Sequence, residues 1–180
     1  MTTYIAILRG INVGGHRKIL MADLKNLLTK NGCNNVVTYI QSGNVVFSSG
    51  KSAKELEEHI SNLIKTNYGF DVPVMLRSQK EWKDVFECNP YLLKDNSIPI
   101  DQLYVTFLGE TPVKERLAEI TEISFPNDDF KIIGTTVYIL LGKKYSDTKL
   151  TNSFFESKLK VAATSRNWKT VTKLLELSKV

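Results

Sequence analysis

A chain of 180 residues, 42% hydrophobic and 24% charged, has the composition of an ordinary globular protein, one domain or two small ones, long enough to bury a real core. Its longest apolar run, Tyr4 to Leu8, is far short of the roughly 20 residues that span a bilayer, and no signal-peptide pattern accompanies it, so a cytoplasmic protein with no membrane partner is expected. The net charge of +5 leans mildly toward anionic partners and reads as spread along the chain, with concentrations at His16-Arg17-Lys18, at Lys143-Lys144 and near the C-terminus, without the dense face usual in nucleic-acid domains.

Tyr4 to Arg9 has the apolar, β-favouring residues of a strand. Met21, Leu24, Leu27 and Leu28 follow at helical spacing, stopped by Asn31-Gly32. Val36 to Ile40 and Asn44 to Ser48 are strand-like runs joined by Gln41-Ser42-Gly43, a hairpin-length loop with a glycine available for positive φ. Ser52 and Glu55 stand in capping-box spacing ahead of an amphipathic helix that Asn67, Tyr68 and Gly69 end. Val72 to Leu76 is a further strand, with Pro73 at its start suited to a sheet edge. That order is β-α-β-β-α-β, the split βαβ of ferredoxin-like domains.

A third helix carries Trp82, Val85 and Phe86 on its apolar face, and the stretch from Asn89 to Pro99, with two prolines, is the linker candidate. After it the order restarts: Leu103 to Leu108 as strand, Val113 to Ile120 as helix, then Phe130 to Ile133 and Val137 to Leu141 as a hairpin around Gly134. Tyr4 to Leu8 and Tyr104 to Leu108 align by eye, which suggests an internal duplication. In place of a last strand the second unit is expected to end in two extra helices, Asn152 to Leu159 and Asn167 to Leu177. The expected architecture is therefore α+β, two ferredoxin-like subdomains in tandem: residues 1–88 with a connecting helix, a linker over 89–100, and residues 101–180 with C-terminal helices. Both faces of the strands are apolar, so each sheet should be covered on both sides.

Three stretches offer polar chemistry. RGINVGG, Arg9 to Gly15, lies between a strand and a helix, but it is no P-loop: His16 and Arg17 stand where lysine and a hydroxyl residue are needed. GxGxxG is absent too. What remains is a glycine pair, Gly14-Gly15, whose N–H groups can face an anion near Arg9, Arg17 and Lys18, against the plainer reading of a shaped crossover loop. In YIQSGNVVF, Gln41, Ser42 and Asn44 can grip a ligand or simply make a tight turn. In ATSRNW, Thr164 or Ser165 is read as the N-cap of the last helix, which puts Arg166 and Asn167 in its first turn; arginine opposes the helix dipole there, a conflict relieved by a bound anion or by a carboxylate.

Catalytic signals are thin. Among His16, His59, Cys33 and Cys88 there is no metal spacing and no nucleophile setting, so no metal or cofactor is expected, and His16 is the one loop histidine able to act as acid or base. An RNA-stacking sheet lacks its basic-aromatic third strand, which here reads NVVFSS.

RGINVGG, TYIQSGNVVF, the NPY at Asn89 to Tyr91 and KLTNSFFESKL with ATSRNWKTVTKLLEL together resemble the bacterial domain of unknown function numbered 1697, over nearly the whole chain and in order. The resemblance implies a cytoplasmic bacterial protein built from two ferredoxin-like subdomains, and it supplies no activity. Its recurrent motifs map onto Arg9, Gly10, Asn12, Gly14 and Gly15, onto Gln41, Ser42, Gly43 and Asn44, and onto Thr164, Arg166, Asn167 and Trp168. The expectation drawn from residues and resemblance together is one polar site binding an anionic, phosphate-bearing small molecule or nucleic acid. In it Arg9 and Arg166 supply charge, Gly14 and Gly15 backbone donors, and Asn12, Gln41, Asn44 and Asn167 orientation, with Ser42 and Thr164 also counted among the binding residues. The alternatives are an enzyme using His16 on such a ligand, and a protein-interaction module in which the motifs are structural.

Overall fold

The structure, a computed structural model, describes residues 1–179. Among these residues the chain forms two four-stranded antiparallel sheets and seven helices, a mixed α+β architecture that divides into two compact units, residues 1–84 with 173–179, and residues 85–172.

In the first unit β1 (Thr2–Leu8) leads into α1 (Met21–Lys30), then β2 (Asn34–Tyr39), β3 (Asn44–Ser49), α2 (Ala53–Tyr68) and β4 (Val74–Ser78), in strand order β2-β3-β1-β4. The expected Ser52–Glu55 capping box is formed, and Gly69 closes α2 in the left-handed region. Alternation sorts the strands: Tyr4, Ala6, Leu8, Val45, Phe47 and Leu76 join Leu24, Leu28, Leu56, Ile60 and Ile64 of the helices in one core. On the opposite face Ile5 and Ile7 are also fully buried, each worth roughly 1.5–3 kcal/mol. Pro73 sits just before edge strand β4, where it has no ladder bond to donate, and its carbonyl accepts from the Arg9 N–H at 2.9 Å.

Strand β4 runs directly into α3 (Gln79–Glu87), whose start is held reciprocally: Ser78 N–H donates to Glu81 Oε2 at 2.7 Å, and Glu81 N–H to Ser78 Oγ at 3.2 Å. The stretch read as a linker contains a short helix, α4 (Pro90–Lys94), capped by Asn89 Oδ1 with proline in its first turn.

The second unit follows with β5 (Leu103–Leu108), α5 (Lys114–Thr121), β6 (Asp129–Ile133), β7 (Thr136–Leu140), α6 (Asn152–Leu159), β8 (Ala163–Asn167) and α7 (Trp168–Leu177). Its strand order, β6-β7-β5-β8, repeats that of the first sheet. Here the sequence expectation is corrected. The unit does not lack its last strand: Ala163 to Asn167 pair with Leu108 to Tyr104, and the segment read as a helix start is an edge strand. Neither Thr164 nor Ser165 is the cap. Asn167 is, its Oδ1 accepting from Thr170 N–H at 2.8 Å. The core of this unit is aromatic, with Phe125, Phe130, Phe154 and Phe155 meeting edge to face at centroid distances of 5.2–6.3 Å.

Candidate functional site

The end of β1 and the turn between β2 and β3 are built against each other. Leu8 N–H donates to Gly43 O at 2.8 Å, extending the ladder past the last paired residues. Gly43 has φ +82°, and a Cβ there would lie 2.8 Å from both Leu8 Cβ and Ile11 Cδ1. Glycine is thus required twice at this position, by the backbone angle and by the neighbours.

The 9–20 connection then folds back on itself. Val13 O accepts from His16 N–H at 3.0 Å and Arg17 O from Asn12 N–H at 3.2 Å, with Gly14 (φ +58°) and Gly15 (φ +78°) as the two central residues. Positive φ at both positions is the type I′ pattern of a two-residue hairpin. Asn12 holds this small hairpin to the body. Its Nδ2 donates to Ile19 O at 3.0 Å and to Gln41 O at 2.8 Å, while its Oδ1 accepts from Ile19 N–H at 2.9 Å. Both amide donors are therefore engaged, and one side chain ties the loop's two ends to the neighbouring turn. Asn44, fully buried, braces that turn from within by donating to Tyr39 O and Ser42 Oγ, each at 3.0 Å.

RGINVGG and QSGN are therefore joined, as a corner of the first unit. Toward solvent it presents His16, Arg17, Lys18, Gln41 and Ser42, with Gly14 and Gly15 also exposed and Arg9 half-buried. Arg17 Nη1 lies 3.6 Å from where a Gly10 Cβ would be, so its guanidinium is folded back over the loop. His16 is exposed, and no hydrogen bond among the described residues orients its ring. Asn12→Ala removes three hydrogen bonds at once and is expected to destabilise by about 2 kcal/mol. Amide exchange across residues 10–20 should rise with it; unchanged protection would disprove the latch.

The third motif lies in the other unit and has a different character. Thr164 and Arg166 point to the face of β8 opposite the phenylalanine core, Arg166 only 8% exposed. Arg166 Nη1 donates to Thr164 Oγ1 at 3.0 Å and to Ser165 O at 2.8 Å. Burial pulls its guanidinium down to about 10, opposed in part by the Tyr145 hydroxyl. Ser165, on the core-side face, shares its hydroxyl with Thr106 at 2.6 Å and donates to Asn152 Oδ1 at 2.7 Å.

Arg166 has a counterpart that sequence reading missed. Arg77 on β4 pairs in register with Ile5 as Arg166 pairs with Val105, is 9% exposed, and donates from Nη1 to the preceding carbonyl, Leu76 O, at 2.8 Å. Each arginine immediately precedes the residue that caps the next helix, Ser78 or Asn167. Burial lowers the Arg77 guanidinium as well, but Glu81 and Glu57 act against it. The spacing arginine, cap, helix is present in both LRSQKEW and TSRNWKT and was the available signal.

The two units differ most in the connection that leaves their first strand. In the second unit Gly109 N–H donates to Ala162 O and Leu108 N–H to Thr135 O, matching the Arg9 and Leu8 bonds, but only residues 109–113 separate β5 from α5. In the first unit the same connection runs over residues 9–20. The charge is not evenly spread either. Residues 1–54 hold seven lysines and arginines against one acidic residue, Asp23, so this stretch alone carries the net positive charge.

The family model described as a protein of unknown function, DUF1697, matches residues 1–138. Among solved structures the chain is similar to the conserved bacterial protein SP0830 from Streptococcus pneumoniae, at 25% identity and a TM-score of 0.78 over 98% of each chain. None of the curated proteins compared with the chain matches it.

Proposed function

For this chain, which belongs to the bacterial DUF1697 family of proteins of unknown function, we propose that the corner made by the 9–20 connection and the β2–β3 turn binds a phosphate-bearing small anion in the cytoplasm. The observation that carries the reading is the Asn12 latch. It holds a glycine-rich loop, with His16, Arg17 and Lys18 exposed on it, in one conformation at a place where the second unit has only a short turn. A loop of this length with fixed geometry is a functional feature more often than a connector. In this reading Arg9, Arg17 and Lys18 supply charge, the exposed Gly14-Gly15 turn supplies backbone approach, and Gln41 and Ser42 supply polar contacts. Asn12, Gly43 and Asn44 shape the corner from behind. Thr164 and Arg166 are assigned to the interior of the second unit and Asn167 to a helix cap, which supports a structural role for the TSRNW motif. We also read the shared element and strand order, with its paired arginines, as a duplicated ferredoxin-like subdomain.

A thermal-shift series with inorganic phosphate, pyrophosphate, nucleotides and sugar phosphates tests the site. A ligand at about a hundred times its Kd adds about 2.7 kcal/mol to stability. The shift should vanish in the Arg17→Ala/Lys18→Ala protein. If none of these compounds moves the melting temperature, the proposal fails.

A further inference from the structure

We propose that the outer edge of β6 is an interface with a second copy of this chain. Two β6 strands pair antiparallel about a two-fold axis at Phe130, joining the β6-β7-β5-β8 sheets of two molecules into one.

Each sheet of the chain has two edges, and three of these four are blocked. On β4, Glu57 of α2 accepts the outward Leu76 N–H at 2.8 Å. On β8, Glu156 of α6 accepts the outward Ala163 N–H at 3.1 Å. On β2 the ladder slips register between Asn34 and Val37, with Asn35 at φ +52°. Among the described residues β6 has none of these devices. It pairs with β7 without a shift, from Asp129 opposite Leu140 to Ile133 opposite Thr136. Only Gly134 and Thr135 lie between the strands, so Asp129, Lys131 and Ile133 direct their backbone bonds to β7, while Phe130 and Ile132 turn theirs outward. No bond to either outward set is made among the described residues.

A groove of about 490 Å³ lies beside this edge. Thr121, Ile123 and Phe125 line it, together with residues from both faces of β6, Phe130 and Ile132 from one and Lys131 from the other, as befits a groove that follows an open edge.

The charges select the occupant and its register. Asp129 and Lys131 are exposed on one face of β6, where Tyr91 sets both: its hydroxyl donates to Asp129 Oδ2 at 3.0 Å, and its ring centre is 5.1 Å from Lys131 Nζ. Neither makes an ion pair among the described residues, unlike Lys65, Arg116 and Lys173, each bridged to a carboxylate at 2.9–3.0 Å. With the axis at Phe130, Asp129 stands directly opposite Lys131 of the second copy, and Lys131 opposite its Asp129. These are non-hydrogen-bonded positions, where facing side chains come closest. At the axis the outward N–H and C=O of the two Phe130 residues answer each other. An axis at Asp129 or at Lys131 would set like charges face to face, and one at Ile132 would set Lys131 against Ile133. A strand edge complementary to itself is what an isologous contact requires.

This inference is independent of the small-anion corner, which lies in the first unit. Sedimentation velocity on the full chain should show the mass rising from 20.4 kDa toward twice that value with concentration, at a Kd of about 10–100 μM for so small a contact. Over the same range the amides of Phe130 and Ile132 should gain hydrogen-exchange protection in the parent protein, a readout that needs no variant. Asp129→Lys and Lys131→Asp should each raise the Kd more than about 10-fold, since each puts like charges opposite one another, and Asp129→Lys/Lys131→Asp should restore the dimer. Melting curves check that all three variants are folded. A dimer unmoved by either single reversal, a double reversal that stays monomeric, or protection gained at β2 instead of β6 would each overturn the inference. So would a parent chain still monomeric at about 500 μM, a result that would leave the open edge to an extended peptide of another protein.

Discussion

Gly43→Ala is expected to lower the unfolding free energy by about 3 kcal/mol, the sum of roughly 1–2 kcal/mol for a side chain in the left-handed region and roughly 1–3 kcal/mol for overpacking. The overpacking follows from the two contacts at 2.8 Å, one of them with Leu8 Cβ, which is anchored to the central strand and cannot swing aside. Gly50→Ala is the matched control. Gly50 has no positive φ and nothing within 4 Å of a built Cβ, so its substitution should change stability by no more than about 0.5 kcal/mol. Urea midpoints of the two proteins decide the matter: similar values would mean that the hairpin turn is not seated on the end of β1. Because the same contact positions Gln41 beside Asn12, Gly43→Ala should also weaken any phosphate-induced thermal shift.

Arg166→Ala is expected to cost about 3 kcal/mol, through the loss of a buried side chain and of its bonds to Thr164 Oγ1 and Ser165 O, and to lower the melting temperature by about 6–12 °C. Arg166→Lys should recover little, because an ammonium cannot reproduce the planar set of donors. Should Arg166→Ala melt with the parent protein while losing a phosphate-induced shift, the arginine belongs to the ligand site instead of the interior. The two outcomes are mutually exclusive, which makes this the sharpest test of the TSRNW motif.

The early helices were legible because their signals are local. Leu24 and Leu28 recur at helical spacing, and Ser52 with Glu55 closes a box within one turn. Strand β8 was not legible. Ala-Thr-Ser-Arg-Asn has no apolar alternation, since its two buried positions on the second face are Thr164 and Arg166, both polar. Ser, Thr and Asn there also mimic a helix cap, and that signal placed the helix start two or three residues early. Pairing with Tyr104 to Leu108, almost sixty residues distant, made the segment a strand. The charge bias of residues 1–54 was countable from the sequence, yet it escapes a search for short basic runs because its seven cations are dispersed among uncharged residues.

At the candidate corner the division is similar. Glycines and small polar residues announced two turns, but either turn alone is explained by backbone geometry. Asn12 became informative only once Ile19 and Gln41 were seen at its amide, a meeting of three segments that no spacing encodes. The sequence by itself determined the α+β class, the order of elements in the first unit and the bounds of its two helices α1 and α2, because hydrophobic period and capping act over a few residues. The tertiary structure alone decided the eighth strand, the burial of Arg77 and Arg166 and the joining of RGINVGG to QSGN, because each depends on hydrogen bonds or burial supplied by residues distant in the chain.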